Sequence, residues 1–575
     1  MKKFTLLMVA SSLLIPGVAV AKNLRSLNST EGGKVPHRID NQMIVKNQIS
    51  HNSVVDLNTP TSKKTPSAKV SEYGPIIYEA PEGETKILAR SGEATYAYYG
   101  SLVQSSYENR IGEIVTCDNG EVYIKNPFSA YVSNTYLKGK REDNKIVFSL
   151  PQPVAAIDYY GEEIYFIATM MQYSDSENWY YPCNTEEAQA VGLPEITDQF
   201  VVNINEDGSY SMEVDDARSV IPGLIYSDDL AWTGYSEMSS EWKEFHGTLN
   251  LGPADGVEVE DVVVIYGELG HYAKLAVDGE NVFVQGVFPA QPQSWIQGKL
   301  ENNKVIFPSG QYIGEDLDYG YYTYFSAATF EEEWDDYYEE WYNVYTYSDE
   351  IVFDYDETTQ TMTTGENDAI AYNTSDNKIL YLSIFDSPVI KKQPAEISQT
   401  PQNPYDLLFY NYYENWGYSW LQFYLPMLNV DSDLLNQSDL YYKVFVDGDE
   451  FVFYSDDYSA VEDEMTLIPY NFNDNYDFIC DGTYHEVYFY FDGAEEIGVQ
   501  LCNVKDGDVI GESDIVSLNI STGVQSVADA NYKQIESTKY FNLNGQEINN
   551  PSDGIFVKTV KYNDGSVKSF KVIKK

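Results

Sequence analysis

From about Ile76 onward the chain alternates apolar and polar residues in short runs, as in Glu121-Val122-Tyr123-Ile124-Lys125. A two-residue period places alternate side chains on opposite faces of a strand, so each run predicts a half-buried β-strand. The runs are rich in Tyr, Val, Ile and Phe. Asp-Gly, Asn-Gly and Pro turns break them, which is hairpin texture. The pattern predicts an all-β protein of antiparallel sheets.

Inside this region the pattern repeats. Residues 121–148 and 281–307 align with one gap: Val122, Tyr123 and Ile124 match Val282, Phe283 and Val284. Gly139-Lys140 matches Gly298-Lys299, Asn144-Lys145 matches Asn303-Lys304, and Phe148 matches Phe307. Weaker likeness extends upstream, Arg90-Ser91-Gly92 with Trp232-Thr233-Gly234, and downstream, Asp198–Val202 with Asp349–Phe353. Two homologous modules follow, at 76–227 and 228–386. A spacing near 150 residues is too long for solenoid or propeller blades, so these read as tandem domains. Each is expected to be an antiparallel β-sandwich or barrel, because alternating strands need a second layer or closure to bury one face. Two half-propellers forming one ring are the alternative.

Residues 387–520 form a different module. Its strand-like runs include Tyr418–Leu425, Leu440–Val446, Phe451–Tyr454, Tyr484–Phe491 and Gly498–Cys502, with turns at Asp447-Gly448, Asp481-Gly482 and Asp492-Gly493. About seven strands in this length suit a sandwich. The segment resembles a fibronectin type III or immunoglobulin-like domain.

The two ends carry processing signals. Lys2 and Lys3 precede the apolar stretch Phe4–Val18, and Ala19-Val20-Ala21 is a small-x-small cleavage pattern, so 1–21 reads as a signal peptide. Residues 22–75, rich in Ser, Thr, Asn, Lys and Pro, read as a flexible linker. Residues 521–575 read as a linker and a small terminal unit. There Tyr540–Ile548 with Leu543-Asn544-Gly545, Gly554-Ile555-Phe556-Val557-Lys558, and the lysine-ended Ser566–Lys575 follow one another. From about residue 530 this resembles the C-terminal sorting domain of type IX secretion cargo, Phe556 standing where that family most often has Tyr. The resemblance implies a transport signal read by the secretion machinery, and a cell-surface or extracellular destination.

Charge narrows the partners. The net charge is −54, yet residues 22–75 carry +4 and 521–575 carry +3, and Lys2 and Lys3 add +2, leaving −63 on 76–520. Such a field repels phosphate backbones and anionic lipid, so nucleic acid and bare membrane are poor partners, and no nucleic-acid partner is expected. Beyond the first twenty residues no apolar run approaches the length of a membrane-spanning helix. Cys117, Cys183, Cys480 and Cys502 form no CxxC pair. Export permits disulfides, Cys117–Cys183 and Cys480–Cys502 being the pairings within modules.

Reaction chemistry is hard to find. His485-Glu486 lacks the second histidine of a metalloprotease helix, and His37, His51, His246 and His271 complete the five histidines. Gly139-Lys140 and Gly298-Lys299 are not followed by Ser or Thr, so neither is a phosphate loop, and no GxSxG elbow occurs. Calcium is the one cofactor considered, at Asn203-x-Asn205-x-Asp207-Gly208, whose twelfth position is Val214, and at Asn473–Asp477. The acidic run Phe330–Tyr342 predicts a solvated loop or short amphipathic helix, with a cation site beside aromatics as the functional reading. No catalytic or cofactor-binding residue is assigned. The 51 tyrosines suit both strands and the gripping of glycans or proteins. Trp295, Trp334, Trp341, Trp416 and Trp420 are the candidate contact residues. The expectation is a non-catalytic surface binding, adhesion or structural protein, with an extracellular hydrolase acting through acidic residues on polysaccharide or peptide as the alternative.

Overall fold

The computed structural model describes residues 35–36 and 73–574, apart from 99–100, 127, 129–134, 160–161, 214–218, 228, 336–339, 412–416, 492, 521–523, 529–534, 543–546, 549–553 and 563–566. The segment read as a signal peptide, nearly all of the segment read as a linker, Trp416 and Leu543-Asn544-Gly545 therefore lie outside the described residues. The fold is all-β, with 60% strand and 2% helix. It divides into two units, Met1–Gln393 and Pro394–Lys575.

In the first unit a two-residue strand, β1 (Val35–Pro36), precedes a closed barrel. β2 (Glu84–Tyr98), β3 (Ser101–Thr116), β4 (Glu121–Lys125), β5 (Tyr136–Glu142) and β6 (Lys145–Ser149) pair antiparallel in chain order. Next in the chain come β7 (Gln152–Tyr159), β8 (Glu162–Ser174), β9 (Trp179–Pro182) and the short helix α1 (Glu186–Ala190), capped by the Thr185 side chain. β10 (Gln199–Ile204) then pairs with β6, and β11 (Tyr210–Met212) with β10. After β12 (Val220–Tyr226), β13 (Trp232–Glu244) pairs with β11 and returns to β2, closing eight strands. β8 pairs with β7, β9 and β12, and β12 with β13, so a second layer grows from the closing strand.

The same plan follows again. β14 (Val259–Tyr266), β15 (Leu269–Asp278), β16 (Asn281–Gln285), β17 (Trp295–Glu301) and β18 (Lys304–Pro308) pair in order. β19 (Gln311–Asp316), β20 (Tyr321–Asp335) and β21 (Glu340–Ser348) then build the second layer, and β21 also pairs with β1. β22 (Glu350–Asp356) and β23 (Thr361–Thr363) return to the barrel beside β18, β24 (Asp368–Asn373) and β25 (Tyr381–Asp386) add to the second layer beside β20, and β26 (Val389–Lys391) closes the barrel on β14 and β23.

The repeat read in the sequence is a repeat in register. Val122 faces Gly139 across β4–β5, and Val282 faces Gly298 across β16–β17. Both valines are buried in their barrel cores. Each barrel closes on itself, unlike two halves of one propeller ring. The weaker upstream alignment does not hold: pairing equates β2 with β14, not with Trp232–Glu244. That strand, expected to open the second module, closes the first barrel. It is 13 residues long and serves both barrel and layer, a role that β25 and β26 share in the second module. The acidic run expected as a loop or helix lies instead in the hairpin β20–β21, where Trp334 faces Trp341.

The second unit opens with two antiparallel sheets. β27 (Tyr405–Asn411), β28 (Ser419–Tyr424) and β29 (Leu440–Val446) are followed by four two-residue strands, β30 (Asp449–Glu450), β31 (Phe453–Tyr454), β32 (Glu464–Met465) and β33 (Ile468–Pro469). Then come β34 (Phe478–Asp481), β35 (Tyr484–Phe489), β36 (Glu496–Lys505), β37 (Asp508–Glu512), β38 (Ile515–Asn519) and β39 (Val524–Ala528). One sheet runs β27-β28-β35-β34, the other β30-β29-β36-β38-β39. Their inner faces meet where Tyr442 packs edge-on to Phe423, ring centroids 5.3 Å apart. A separate sheet, order β41-β40-β42-β43, holds β40 (Ile535–Asn542), β41 (Glu547–Ile548), β42 (Gly554–Tyr562) and β43 (Val567–Lys574).

Candidate functional site

The outer face of the sheet β27-β28-β35 gathers aromatic side chains. Alternation sends Leu421, Phe423, Val487 and Phe489 into the core, so Trp420, Gln422, Tyr424, Tyr484, Glu486 and Tyr488 stay half-buried on the other side. On β27 the parity changes within the strand. Asp406 has φ of 49° and the register shifts between Tyr405 and Leu408, a bulge that keeps Tyr405, Leu408 and Tyr410 opposite Tyr424, Gln422 and Trp420.

Two aromatic rows result. Tyr410, Trp420 and Tyr488 are cross-strand neighbours, with ring centroids 4.9 Å and 5.8 Å apart and planes within 25°. Tyr418 joins them, 5.7 Å from Tyr488. The second row is Tyr405, stacked on Tyr424 at 5.2 Å, and Tyr484 beyond it at 5.5 Å. Between the rows lie Leu408, Gln422 and Glu486. The Gln422 amide donates to Glu486 Oε1 at 2.8 Å, and the Tyr484 hydroxyl donates to the same oxygen. Burial, with Glu486 nearby, pushes the Tyr488 hydroxyl up to about 12. The sequences of β27, β28, β34 and β35 contain no Lys or Arg. At one margin Tyr490 donates to Asp477 Oδ1 at 2.5 Å.

Beneath the face, His485 is a core residue. Its Nε2 lies 2.7 Å from Tyr470 O and its Nδ1 3.0 Å from Thr483 O, with Phe423, Tyr442 and Tyr470 around the ring. Burial outweighs those two carbonyls and holds its pKa at about 4. His271 in the second barrel is likewise pushed down to about 4 by burial.

Of the aromatic candidates, Trp420 lies in this face. Trp295 is half-buried and packs against the backbone at Gly252, whose Cβ position lies 2.8 Å from the indole. Trp334 is exposed on the acidic hairpin with Glu331, Glu332 and Glu333. Trp341 is placed as strand, its side chain outside the described set. The oxygen-rich segments are used by their own turns. Asp207 Oδ1 accepts from the Ser209 N–H and hydroxyl in the β10–β11 hairpin. Asp474 Oδ1 accepts three backbone N–H groups, from Tyr476, Asp477 and Phe478. Among the described residues no three His, Cys, Asp or Glu side chains gather as a metal site. The four cysteines are buried free thiols, so neither disulfide pairing forms. Burial pushes Cys183, Cys480 and Cys502 up to about 12, far from the thiolate a nucleophile needs.

Sequence reading missed a charged cluster inside the first barrel. Arg90 and Glu237 are 1% and 0% exposed, with Arg90 Nη1 3.3 Å from Glu237 Oε2, and the Tyr107 and Tyr235 hydroxyls donate to the same carboxylate. Arg90 and Arg110 both lie over the Tyr107 ring, at 4.9 Å and 5.3 Å. Burial raises Glu237 above the ordinary carboxylate range, opposed by Arg90 and the two tyrosines. Arg110 also covers Tyr321 of the second module at 4.6 Å. The bulge after Tyr107, where Asn109 has φ of 56°, carries the Asn109 amide to Thr374 O and Glu108 to the Ser375 hydroxyl and Lys378. The Glu237 carboxylate, the Tyr107 and Tyr235 hydroxyls and both guanidinium groups all contact protein groups, which fits a joint between modules.

No protein-family model matches the chain, and no curated protein matches it in sequence.

Proposed function

We propose that this chain is an exported surface protein that binds its ligand without turning it over, and that the ligand is a glycan held on the outer face of β27-β28-β35. The observation that carries this reading is the double aromatic row around the Gln422–Glu486 pair. Outer faces of sandwiches are ordinarily polar. Here seven aromatic positions flank a carboxamide and a carboxylate, the combination that grips the apolar faces and the hydroxyls of sugars.

Two further readings accompany it. The sheet orders β27-β28-β35-β34 and β29-β36-β38 correspond to A-B-E-D and C-F-G, the arrangement of immunoglobulin-type sandwiches, which supports an immunoglobulin-like domain as carrier of the face. The four-stranded terminal sheet supports the sorting-domain reading of the tail, with secretion machinery as its partner.

Binding of the mature chain to immobilised glycans, measured beside Trp420→Ala and Tyr488→Ala, tests the proposal. Each variant should lose at least about ten-fold in affinity, about 1.4 kcal/mol, with its circular dichroism unchanged. Equal binding by the variants would remove the face from the mechanism. Hydrolysis of polysaccharide or peptide that disappears with a Glu→Gln or Asp→Asn change would favour the hydrolase reading instead.

A further inference from the structure

Resting on that glycan-binding reading, we infer that the face selects an uncharged glycan segment of about three sugar units and rejects polyanionic glycans. The first argument is the charge inventory. The four strands of the sheet contain no Lys or Arg, so nothing on them can pair with a uronate, sulfate or phosphate. On the outer positions of β28 and β35 the single ionisable acid is Glu486, and a carboxylate only accepts hydrogen bonds. A ligand group over it must donate, as a hydroxyl or an amide N–H does. The chain's net charge of −54 adds long-range repulsion of any polyanion.

The second argument separates neutral from cationic ligands. Glu486 Oε1 already takes donors from Gln422 and Tyr484, so the carboxylate is tied into the floor as a hydrogen-bonding partner. Around it stand six tyrosines and a tryptophan, whose contribution is apolar contact and hydroxyl bonding. Recognition therefore runs through ring contact and hydroxyl exchange, which salt screens little.

Length follows from the spacing of the rows. Trp420 and Tyr424 are four residues apart on one strand, about 13 Å, the reach of two to three linked pyranose rings. Three strands at their ordinary separation span about 10 Å in the other direction, room for about two units, so the direction along the strands sets the longer segment.

The test uses the full mature chain in affinity electrophoresis and calorimetry against three probes: neutral glucans, mannans and xylans; polygalacturonate and a sulfated glycan; and chitosan. Neutral chains should bind with less than about two-fold change between about 50 and 500 mM salt. Oligosaccharide affinity should rise to about the trisaccharide and then level off. Tighter binding to a polyanion, or chitosan binding that salt abolishes, overturns the neutral-glycan inference. If Trp420→Ala removes that binding too, the face itself stands as the site. Affinity still climbing beyond about six units overturns the length. Binding by Trp420→Ala equal to wild type, or no glycan bound by either, overturns the face reading and the inference with it. As a further check, Glu486→Gln should weaken neutral-glycan binding several-fold; an unchanged affinity removes Glu486 from recognition.

Discussion

Gly139 and Gly298 mark the point in each barrel where a strand gives up its side chain to a ring from its neighbour. A Cβ added at Gly139 would lie 2.7 Å from the Phe148 ring, and one at Gly298 would lie 2.9 Å from Phe307 and 2.8 Å from Ile306 O. Both contacts are too close to relax without moving a buried phenylalanine. Gly298→Ala should therefore cost about 1–3 kcal/mol of stability, read from urea unfolding of the chain. Adding Phe307→Leu should cost less in the Gly298→Ala background than alone; strict additivity would show that ring and glycine are not coupled. The Gly-Lys and Phe spacings were legible because strand period and turn chemistry are local: Asn302 and Asn303 take φ of 52° and 60°, as a two-residue hairpin turn requires. The glutamine four residues after each phenylalanine was not legible. Gln152 bonds Lys138 and Ser149, and Gln311 bonds Gln297 and Pro308, in the same pattern, yet glutamine carries no positional signal of its own. Trp420 was legible only as an aromatic, because alternation gives parity along a strand and leaves open which face meets the core.

At the scale of elements, the bulge in β3 and the closing strand β13 do work that no single strand pattern announces. Arg90 and Glu237 stand 147 residues apart, and Glu237 sits in a polar-looking run, Tyr235-Ser236-Glu237-Met238-Ser239-Ser240. Only barrel closure brings β13 beside β2 and buries the carboxylate against the guanidinium. A buried pair contributes little net stability over a well-packed apolar pair, but breaking it strands a charge. Glu237→Gln should thus destabilise the chain by about 3–5 kcal/mol, while Arg90→Met with Glu237→Leu should lose much less than the two single changes together. Thermal unfolding of wild type, the three single variants and the double variant checks this. A Glu237→Gln variant within about 1 kcal/mol of wild type would mean the carboxylate is not what holds Arg90. The barrels themselves were foreseeable only as one of two closures, since a sandwich and a barrel share the same alternation and differ in one long-range pairing.

Across the whole molecule, both chain ends differ from the body in charge, and the C-terminal tail differs in connectivity as well. The all-β class was readable because turn signals and period-two runs persist along hundreds of residues. The transport reading rests on short motifs, and such motifs carry no packing signal. Among the described residues the tail's strands β40–β43 pair only with one another, and residues 521–575 carry +3 against −63 on 76–520. A unit with its own sheet and opposite charge can be removed without breaking any strand pairing of the barrels or the sandwich. Ending the chain at residue 529 should accordingly leave those parts folded, with unchanged near-ultraviolet circular dichroism. If the tail is the sorting signal proposed here, the shortened protein should accumulate in the periplasm, protected from protease added to intact cells, while the full-length protein is digested at the surface. Normal arrival of the shortened protein at the surface would overturn the sorting assignment. It would leave the face proposed to bind glycan untouched, because every residue of that face lies between Tyr405 and Tyr488.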